Sequence, residues 1–323
     1  MATTAPAGES AQRPGFDFNP VFRKGILAAT QNPLVAKNVR AHGMRLGAAR
    51  FVAGETFDEA APVLRGLNAR GVRTNTTLLG EGVRDVATAR AVTDTYKGVL
   101  DRIAEERLIT NIALKPTHLG LDLGEDLAFA HLSEIVGHAA SHGNFIRIDM
   151  EESARVDATL RLYRRLRAEG HDNVGTVLQS YLYRTDDDLS ALIALRPNLR
   201  LVKGAYLEPP DLAYPEKRDV DAAYVRQAER MLTECGFAAI ATHDDRIIDH
   251  VIGYAARHGF GHDRYEFQML YGIRSQYQTD LVQAGHRVLI ATPYGPEWYF
   301  YLMRRLAERP ANVGWFASNL FRR

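Results

Sequence analysis

The chain contains 323 residues, a length sufficient for one large barrel domain or for two domains of ordinary size. Hydrophobic residues make up 46% and charged residues 24%, which is typical of a globular protein. The 40 basic and 39 acidic residues nearly cancel, so the composition argues against a nucleic-acid-binding protein, in which a basic face is expected. The only cysteine, Cys235, excludes an intramolecular disulfide, and we expect it to be a small buried hydrophobic residue instead of a nucleophile.

The N-terminal region lacks the features of a secretory signal. Residues 1–20 are rich in Ala, Pro, Gly, Thr and Ser, without a basic start or an apolar segment, and are expected to form a mobile tail. Residues 21–70 are expected to form an extra helical layer before a catalytic barrel at 71–323. No apolar run approaches the roughly 20 residues that a membrane span needs. With a single cysteine, this predicts a cytoplasmic location.

Eight short strand-like segments recur at fairly even spacing from residue 73 onward. Most are continuous apolar runs without strict alternation, as expected for the strands of a parallel sheet that is covered on both faces. The predicted strands are residues 73–79, 111–115, 145–150, 174–181, 199–206, 238–243, 265–270 and 287–292.

Helix-length segments separate the predicted strands. Residues 126–140, 152–169 and 219–235 carry apolar side chains at helical spacing, and the last two are followed by Gly170 and Gly236, as is common at helix C-termini. Eight repeats of strand and helix predict a (β/α)8 barrel.

The alternative fold is an open doubly wound sheet, which usually carries a glycine-rich nucleotide-binding turn after a strand. The nearest match, Gly80-Glu81-Gly82, lacks the third glycine of that turn. The sequence therefore favours the barrel.

Polar side chains lie near the carboxyl ends of the predicted strands, where the active sites of such barrels are found. They are Lys115, Arg147, Asp149, Glu151, Gln179, Tyr181, Arg200, Lys203, Thr242, His243, Glu266 and Gln268. Because branched apolar residues mostly fill barrel interiors, so many polar groups are unexpected. We interpret Arg147 and Glu266 as a structural ion pair. Lys115, Asp149 and Lys203 are interpreted together as functional, since three unrelated ion pairs are a less economical explanation.

The last predicted helix places two arginines at the mouth of this site. Tyr301, Arg304, Arg305 and Glu308 are spaced at i, i+3, i+4 and i+7 and share one face, where Glu308 can hold Arg304. Two guanidinium groups suit a carboxylate because each can donate two parallel hydrogen bonds. An isolated Arg-Arg pair is usually a solvated surface, but this helix follows the last strand and opens at the catalytic face. The helix therefore predicts a binding site for a small carboxylate.

A histidine-bearing helix raises the alternative of a metal site. His131, Glu134, His138 and His142 lie on or near the predicted helix at 126–140, and the last two are one turn apart, a spacing that can hold a metal ion. The helix belongs to the outer ring, however, and the sequence indicates no further ligand. We therefore expect a solvated histidine-bearing face and no metal.

Seven segments resemble those of the proline dehydrogenase family, both its monofunctional bacterial members and the corresponding domain of the bifunctional proline-utilisation flavoenzymes. They are IALKPTHLG, IRIDMEES, VLQSYLYRT, LRLVKGAYLEP, IATHD, YEFQMLYGIR and TPYGPEWYFYLMRRLAER. They follow predicted strands 2 to 8 in order, and VKGAY together with YLMRRLAE is highly specific. The resemblance implies a distorted (β/α)8 barrel that binds FAD non-covalently.

The resemblance also implies a role for individual residues. Those implied to bind the substrate are Lys115, Tyr206, Tyr301, Arg304 and Arg305, with Ala291 at a pocket position. Those implied to act at the reacting centre are Asp149 and Arg200, the latter near the flavin N5. Those implied to contact FAD are Met150, Gln179, Arg200, Lys203, Gly204, Ala205, Thr242 and His243.

The implied reaction is the oxidation of L-proline to 1-pyrroline-5-carboxylate by hydride transfer to the flavin, the first step of proline catabolism to glutamate. Electrons then pass to a quinone, which implies peripheral contact with the inner face of the cytoplasmic membrane. A homo-oligomer is compatible with this interpretation. The residues alone leave two alternatives open, a flavin-free barrel enzyme such as a lyase for an anionic substrate and a binding protein that retains the carboxylate clamp.

The chain departs from the family at Ala291, a position that often holds a tyrosine. In the family that ring helps to line the pocket against ring-substituted proline, whereas alanine leaves more room. We therefore expect weaker discrimination against hydroxyproline.

Overall fold

The structure, a computed structural model, describes residues 43–44 and 47–308. Eight parallel strands form a closed barrel in sequence order, in which β8 pairs with β1. The strands are β1 (Arg73–Leu78), β2 (Thr110–Leu114), β3 (Ile146–Ile148), β4 (Val174–Gln179), β5 (Asn198–Val202), β6 (Phe237–Ala241), β7 (Tyr265–Leu270) and β8 (Val288–Tyr294). The predicted (β/α)8 fold is confirmed.

A helix follows every strand. Helix α1 (Phe57–Asn68) precedes β1. The helices that follow the strands are α2 (Val86–Glu105), α3 (Glu125–Ser141), α4 (Val156–Ala168), α5 (Thr185–Leu192), α6 (Lys217–Glu234), α7 (Asp245–His258), α8 (Ser275–Gln283) and α9 (Trp298–Glu308). The tail predicted at 1–20 lies outside the described residues. The same is true of most of the helical layer predicted at 21–70, of which the structure describes a short 3-10 turn at Ala48–Arg50 and α1.

Several strands end earlier than predicted because the chain turns where the polar residues begin. The predicted strand at 199–206 ends at Val202, and Gly204 has a φ of +121°, which is incompatible with a strand. The last strand instead runs on through Pro293. A proline is tolerated there because the pairing of β8 with β7 stops at Ala291, so the missing N–H breaks no bond on that side.

A large apolar core lies between the barrel and its helices, and a smaller one positions α9. The smaller core packs Trp298, Tyr299 and Leu302 of α9 against Phe51 and other residues before α1. Trp298 also donates from Nε1 to a carboxylate oxygen of Glu55 at 2.7 Å. Burial of a Trp and a Leu contributes several kcal/mol, on the order of 2–3 for each large side chain. This packing fixes the helix that carries Arg304 and Arg305.

The interior of the barrel is unusually polar, as predicted. Within the described part of the chain, Arg147 makes no ion pair with Glu266, so that predicted pair is wrong. Arg147 donates to the backbone oxygens of Thr176 and Asn198 at 2.9 and 2.8 Å, while Glu266 accepts from Gln268 at 2.7 Å. Arg147 is buried because carbonyl oxygens can satisfy its donors without a carboxylate.

Candidate functional site

A cluster of charges forms where the ends of β1 and β2 meet α9. Glu81, in the loop after β1, lies 3.3 Å from the Lys115 ammonium and 3.2 Å from a guanidinium nitrogen of Arg304. Burial raises the pKa of Glu81, but the charges of Lys115 and Arg304 outweigh that effect and leave the pKa below its usual value. Glu81 is therefore ionised at neutral pH, and Lys115 and Arg304 already hold a carboxylate between them. We call Lys115, Arg304 and Arg305 the cationic cluster.

Aromatic side chains border the cationic cluster. The guanidinium carbon of Arg305 lies 5.2 Å from the centre of the Tyr301 ring, within the range of a cation–π contact. Burial raises the pKa of Tyr206, and the charge of Arg304 opposes that rise, which places Tyr206 within electrostatic reach of the cluster. The predicted contact of Glu308 with Arg304 involves a side chain outside the described residues.

A second centre, inside the barrel mouth, is built on Arg200 of β5. Its guanidinium group donates to Asp149 at 2.7 Å, to Gln268 at 2.5 Å and to Asn75 at 3.3 Å. Three acceptors from three other parts of the barrel wall thus fix the plane and position of one cation. This arrangement leaves Arg200 little freedom to reorient when a ligand binds.

Ion pairs also occupy the rim formed by the ends of β5 and β6. The Lys203 ammonium lies 2.9 Å from Asp244 and also contacts Asp221. His243 accepts from the backbone N–H of Leu270 through Nε2 at 2.9 Å, which places the proton of its neutral ring on Nδ1.

The remaining residues implied by the resemblance lie at the same end of the barrel. Gln179 donates from Nε2 to the Glu151 carbonyl at 2.9 Å, and the Thr242 hydroxyl accepts from the Asp244 backbone N–H at 3.1 Å. Met150 is buried, whereas Ala205 is exposed. The implied FAD contacts thus follow the adjacent strands β3 to β6.

Gly204 marks a close approach of the backbone to an aromatic ring. A Cβ at this position would lie 2.3 Å from the Tyr181 ring, and the positive φ disfavours other residues as well. The chain therefore turns sharply after β5, directly behind Lys203.

Ala291 lies on the inward face of β8. Its register partner on β1 is Asn75, whose side chain contacts Arg200, and its partner on β7 is Leu270. Paired residues of neighbouring parallel strands point to the same side of the sheet. Its methyl group therefore points toward the centre that contains Arg200.

Three separate ion pairs, which the sequence analysis considered the less economical explanation, are present in the structure. Lys115 pairs with Glu81, Asp149 with Arg200, and Lys203 with Asp244. Their convergence on one end of the barrel now supports the functional interpretation, which remains a prediction.

Sequence reasoning did not assign a role to two carboxylates of this site. Glu81 stands in the Gly80-Glu81-Gly82 turn directly after β1, and that position at a strand end was the available signal. Glu151 is 2% exposed and accepts from the backbone N–H and the hydroxyl of Thr117 at 3.0 and 2.5 Å. Burial outweighs these bonds and raises the pKa of Glu151 to about 7. Its charge therefore changes near neutral pH.

The histidine-bearing helix differs from the expected solvated face. His131 is buried and its Nδ1 lies 2.9 Å from the Leu119 carbonyl oxygen, whereas Glu134 forms ion pairs with basic residues of α2. His138 and His142 both contact Asp101, a residue of α2. A third polar group therefore does accompany the two histidines.

The described residues also bear on the predictions for Cys235 and for a membrane span. Cys235 is buried next to the end of α6, as expected, and burial raises the pKa of its thiol to about 12. Among residues 47–308, no helix is both long enough and apolar enough to cross a bilayer.

The fold and the site together define a (β/α)8 barrel protein in which cations from a strand end and from the last helix meet around the carboxylate of Glu81. A family model described as "Proline dehydrogenase" matches residues 60–317. The chain is 40% identical over 293 residues to proline dehydrogenase 2 of Bacillus subtilis strain 168, covering 91% of this chain and 96% of that protein. It is 40% identical over 306 residues to the proline dehydrogenase of Deinococcus radiodurans, covering 94% of this chain and 98% of that one. The chain belongs to the proline dehydrogenase family.

A solved structure supports the fold. The crystal structure of proline utilization A from Bdellovibrio bacteriovorus inactivated by N-propargylglycine superposes with a TM-score of 0.79 at 24% identity. The match covers 89% of this chain and 35% of that chain, so this chain corresponds to about a third of the larger protein.

Replacement of Asp149 by Ala is expected to destabilise the protein. The Arg200 side chain is only 10% exposed and would lose its carboxylate partner, which costs about 3 kcal/mol of unfolding free energy. Asp149→Asn keeps an acceptor oxygen for Arg200 and should therefore lower the unfolding free energy less than Asp149→Ala does. Asp126→Ala is the control, because Asp126 pairs with Arg165 at the same 2.7 Å but is 92% exposed. Urea unfolding measures the stability of the three variants, and Asp149→Ala should have the lowest midpoint. Equal midpoints for Asp149→Ala and Asp126→Ala would contradict a stabilising role of the Asp149–Arg200 ion pair.

Glu151 is expected to make stability depend on pH. Its pKa is about 7 in the folded protein and close to 4.5 when unfolded, so between these values the folded state binds more protons. Stability should therefore fall as the pH rises from about 5 to 8, by up to about 3 kcal/mol. Glu151→Gln removes the titration and should flatten this part of the curve. Urea midpoints at pH 5 and pH 8 measure the loss of stability. The same difference between the two midpoints in Glu151→Gln and in the parent protein would exclude Glu151 as its cause.

Proposed function

We propose that this chain oxidises L-proline to 1-pyrroline-5-carboxylate with non-covalently bound FAD as the electron acceptor, as the first step of proline catabolism to glutamate. The observation that carries the proposal is the bridge from Lys115 through Glu81 to Arg304. It supports the cationic cluster as a carboxylate site, because a carboxylate of the protein already lies in it. Membership of the family supports proline as the molecule that brings this carboxylate.

The carboxylate and the ring of proline each match a group of side chains at this end of the barrel. Its carboxylate suits the guanidinium groups of Arg304 and Arg305 with help from Lys115, since charge-assisted bonds to guanidinium groups are strong and directional. Its apolar ring suits the aromatic walls of Tyr206 and Tyr301. When proline replaces Glu81 in the cluster, the partly buried cations exchange one anion for another and are not left uncompensated.

The donor groups on β4 to β6 fit a flavin nucleotide. Lys203 offers positive charge for a pyrophosphate, and Gln179, Thr242 and His243 offer polar side chains on neighbouring strand ends. Gly204 presents backbone without a side chain, and Met150 and Ala205 are adjacent backbone positions for the same group. Bound FAD would supply a hydride acceptor, N5, for the ring carbon next to the proline nitrogen. The proline nitrogen has to be an unprotonated amine, because its lone pair forms the C=N bond as the hydride leaves.

The residues of the chain supply position and charge. Arg200 is held by Asp149, Gln268 and Asn75, so its positive charge is fixed before the reaction begins. That charge favours an electron-rich cofactor beside it. The cationic cluster holds the other end of the substrate, so the two centres together orient the proline ring across the barrel mouth.

The oxidant that completes the cycle is proposed to be a membrane quinone, reached from the inner face of the cytoplasmic membrane. This step is supported by the family resemblance. Reoxidation of the proline-reduced protein by a short-chain quinone, followed by stopped-flow absorbance, tests it. Reoxidation by dioxygen alone, with no acceleration by the quinone, would contradict it.

A visible spectrum distinguishes the proposed function from its alternatives. The purified protein should be yellow, and L-proline added without oxygen should bleach it. A colourless protein would favour a flavin-free barrel enzyme. A yellow protein that proline does not bleach would favour a binding protein that retains the carboxylate clamp.

Arg304→Ala and Arg305→Ala are each expected to raise KM for L-proline by about 100-fold or more, because a charge-assisted contact with the substrate carboxylate is lost. Bound flavin, measured by absorbance, should remain. Arg161→Ala is a matched control, since Arg161 lies on the outer helix α4 in an ion pair with Glu125. An unchanged KM in both cluster variants, or loss of flavin in place of a KM effect, would contradict the assignment.

Ala291→Tyr is expected to lower kcat/KM for 4-hydroxyproline about 10-fold or more relative to L-proline, because a ring at this inward position narrows the pocket. Ala291→Gly serves as the control and should preserve the ratio of the parent protein. Steady-state assays with both substrates measure this ratio. Negligible activity of the parent protein toward 4-hydroxyproline, with a ratio unchanged in Ala291→Tyr, would rule out the idea.

A further inference from the structure

Two histidines and one aspartate converge on the outer helices of the barrel. The Nε2 atoms of His138 and His142 lie 2.7 and 2.8 Å from the same carboxylate oxygen of Asp101. One nitrogen or oxygen atom from each of the three side chains lies within 4.8 Å of the other two. We call these three residues the α2–α3 cluster.

The spacing and placement of the α2–α3 cluster suit a cation. His138 and His142 are four residues apart at the end of α3, so their rings project from the same face, and Asp101 approaches from the neighbouring helix α2. All three residues lie near the C-terminal ends of their helices, where the helix dipole favours positive charge. The side chains are 26%, 27% and 46% exposed, so water and ions can reach them.

We propose that Asp101, His138 and His142 bind one divalent transition-metal ion of the zinc type. Two imidazole nitrogens and one carboxylate oxygen form a ligand set typical of Zn²⁺, and a water molecule completes four-coordination. With bonds of about 2.0–2.1 Å at tetrahedral angles, the ligand atoms are about 3.3 Å apart. The two Nε2 atoms then need to move about half an ångström away from the carboxylate oxygen and to lie about 3.3 Å from each other. Because the three ligand atoms already lie within 4.8 Å of one another, side-chain rotation suffices for this change.

The other imidazole–carboxylate contact in the described part of the chain lacks a third ligand. His250 lies 2.7 Å from Glu229, and no further His, Cys, Asp or Glu completes a group of three there among the described residues. His131 directs its Nδ1 to a backbone carbonyl oxygen, and Glu134 is engaged by basic residues. This difference separates the α2–α3 cluster from ordinary surface pairs.

The bound ion would act as a cross-link between α2 and α3. Helices of a (β/α)8 barrel run opposite to the strands, so the C-terminal ends of α2 and α3 lie at the end of the barrel away from the strand carboxyl ends. The ion is therefore remote from the cationic cluster, and its effect is on stability. A ligand that binds only the folded state raises the melting temperature, and above its Kd the rise grows with the logarithm of the free ligand concentration.

Zinc titration of the full-length protein tests the proposal. The purification tag is removed, the protein is treated with a chelator and dialysed, and ZnSO4 is added in a calorimeter, with metal content measured by mass spectrometry after desalting. We expect one Zn²⁺ per chain. At a free zinc concentration about 100 times the Kd, the melting temperature should rise by about 4 °C. Mg²⁺ should not compete, because imidazole ligands do not suit it.

Single substitutions assign the ligands. His138→Gln, His142→Gln and Asp101→Asn should each weaken zinc binding by at least about 100-fold, whereas His250→Gln should retain it. Melting temperatures measured in chelator show whether each variant is folded, and the activity without metal should equal that of the parent protein. The absence of saturable binding by the parent protein would overturn the proposal without any variant. Equal zinc binding by the three ligand variants and the parent protein would also overturn it.

Discussion

The pairing of β8 with β1 is the constraint on which the site depends. It closes the barrel and returns the chain to the start of the sheet, so that α9, which follows β8, lies beside the loop after β1. Arg304 and Glu81 are separated by 223 residues in sequence but are 3.2 Å apart in space for this reason. Without closure, Arg304 would not reach Glu81, and the bridge from Arg304 through Glu81 to Lys115 would not form.

Paired charges recur around the mouth of the barrel. Lys115, Arg200 and Lys203 each contact a carboxylate, which lowers the cost of keeping cations in a partly buried place. The pairs differ in their other contacts. Arg200 is held from three sides and is suited to a fixed electrostatic role. Glu81 sits on a loop, and in the proposed function it is the group that the substrate carboxylate would replace.

Periodicity, strand ends and spacing predicted most of the fold and the end of the barrel at which the polar side chains gather. Evenly spaced and mostly apolar runs predicted all eight strands, because strands that are covered on both faces are largely apolar. The exception is β1, which is mostly polar. The predicted limits were less accurate after β5, where the backbone of Gly204 departs from the sheet, since a positive φ leaves no mark on a hydrophobic pattern. Contacts between distant elements could not be predicted. The carbonyl partners of Arg147 and the position of Asp101 beside His138 depend on how helices and strands pack.

Clusters of polar side chains at both ends of the barrel combine residues from more than one element, and Asp101 is an example. The sequence pattern of one helix shows only the side chains that this helix supplies. Asp101 of α2 joins the histidines of α3 only when the helices pack around the sheet. The same holds at the opposite end, where the cationic cluster takes Lys115 from the end of β2 and its arginines from α9. At the strand ends, such a shared site places charges on a loop and on the last helix. At the other end, the α2–α3 cluster joins two outer helices, so the proposed ion would change stability and leave the chemistry at the barrel mouth unaltered.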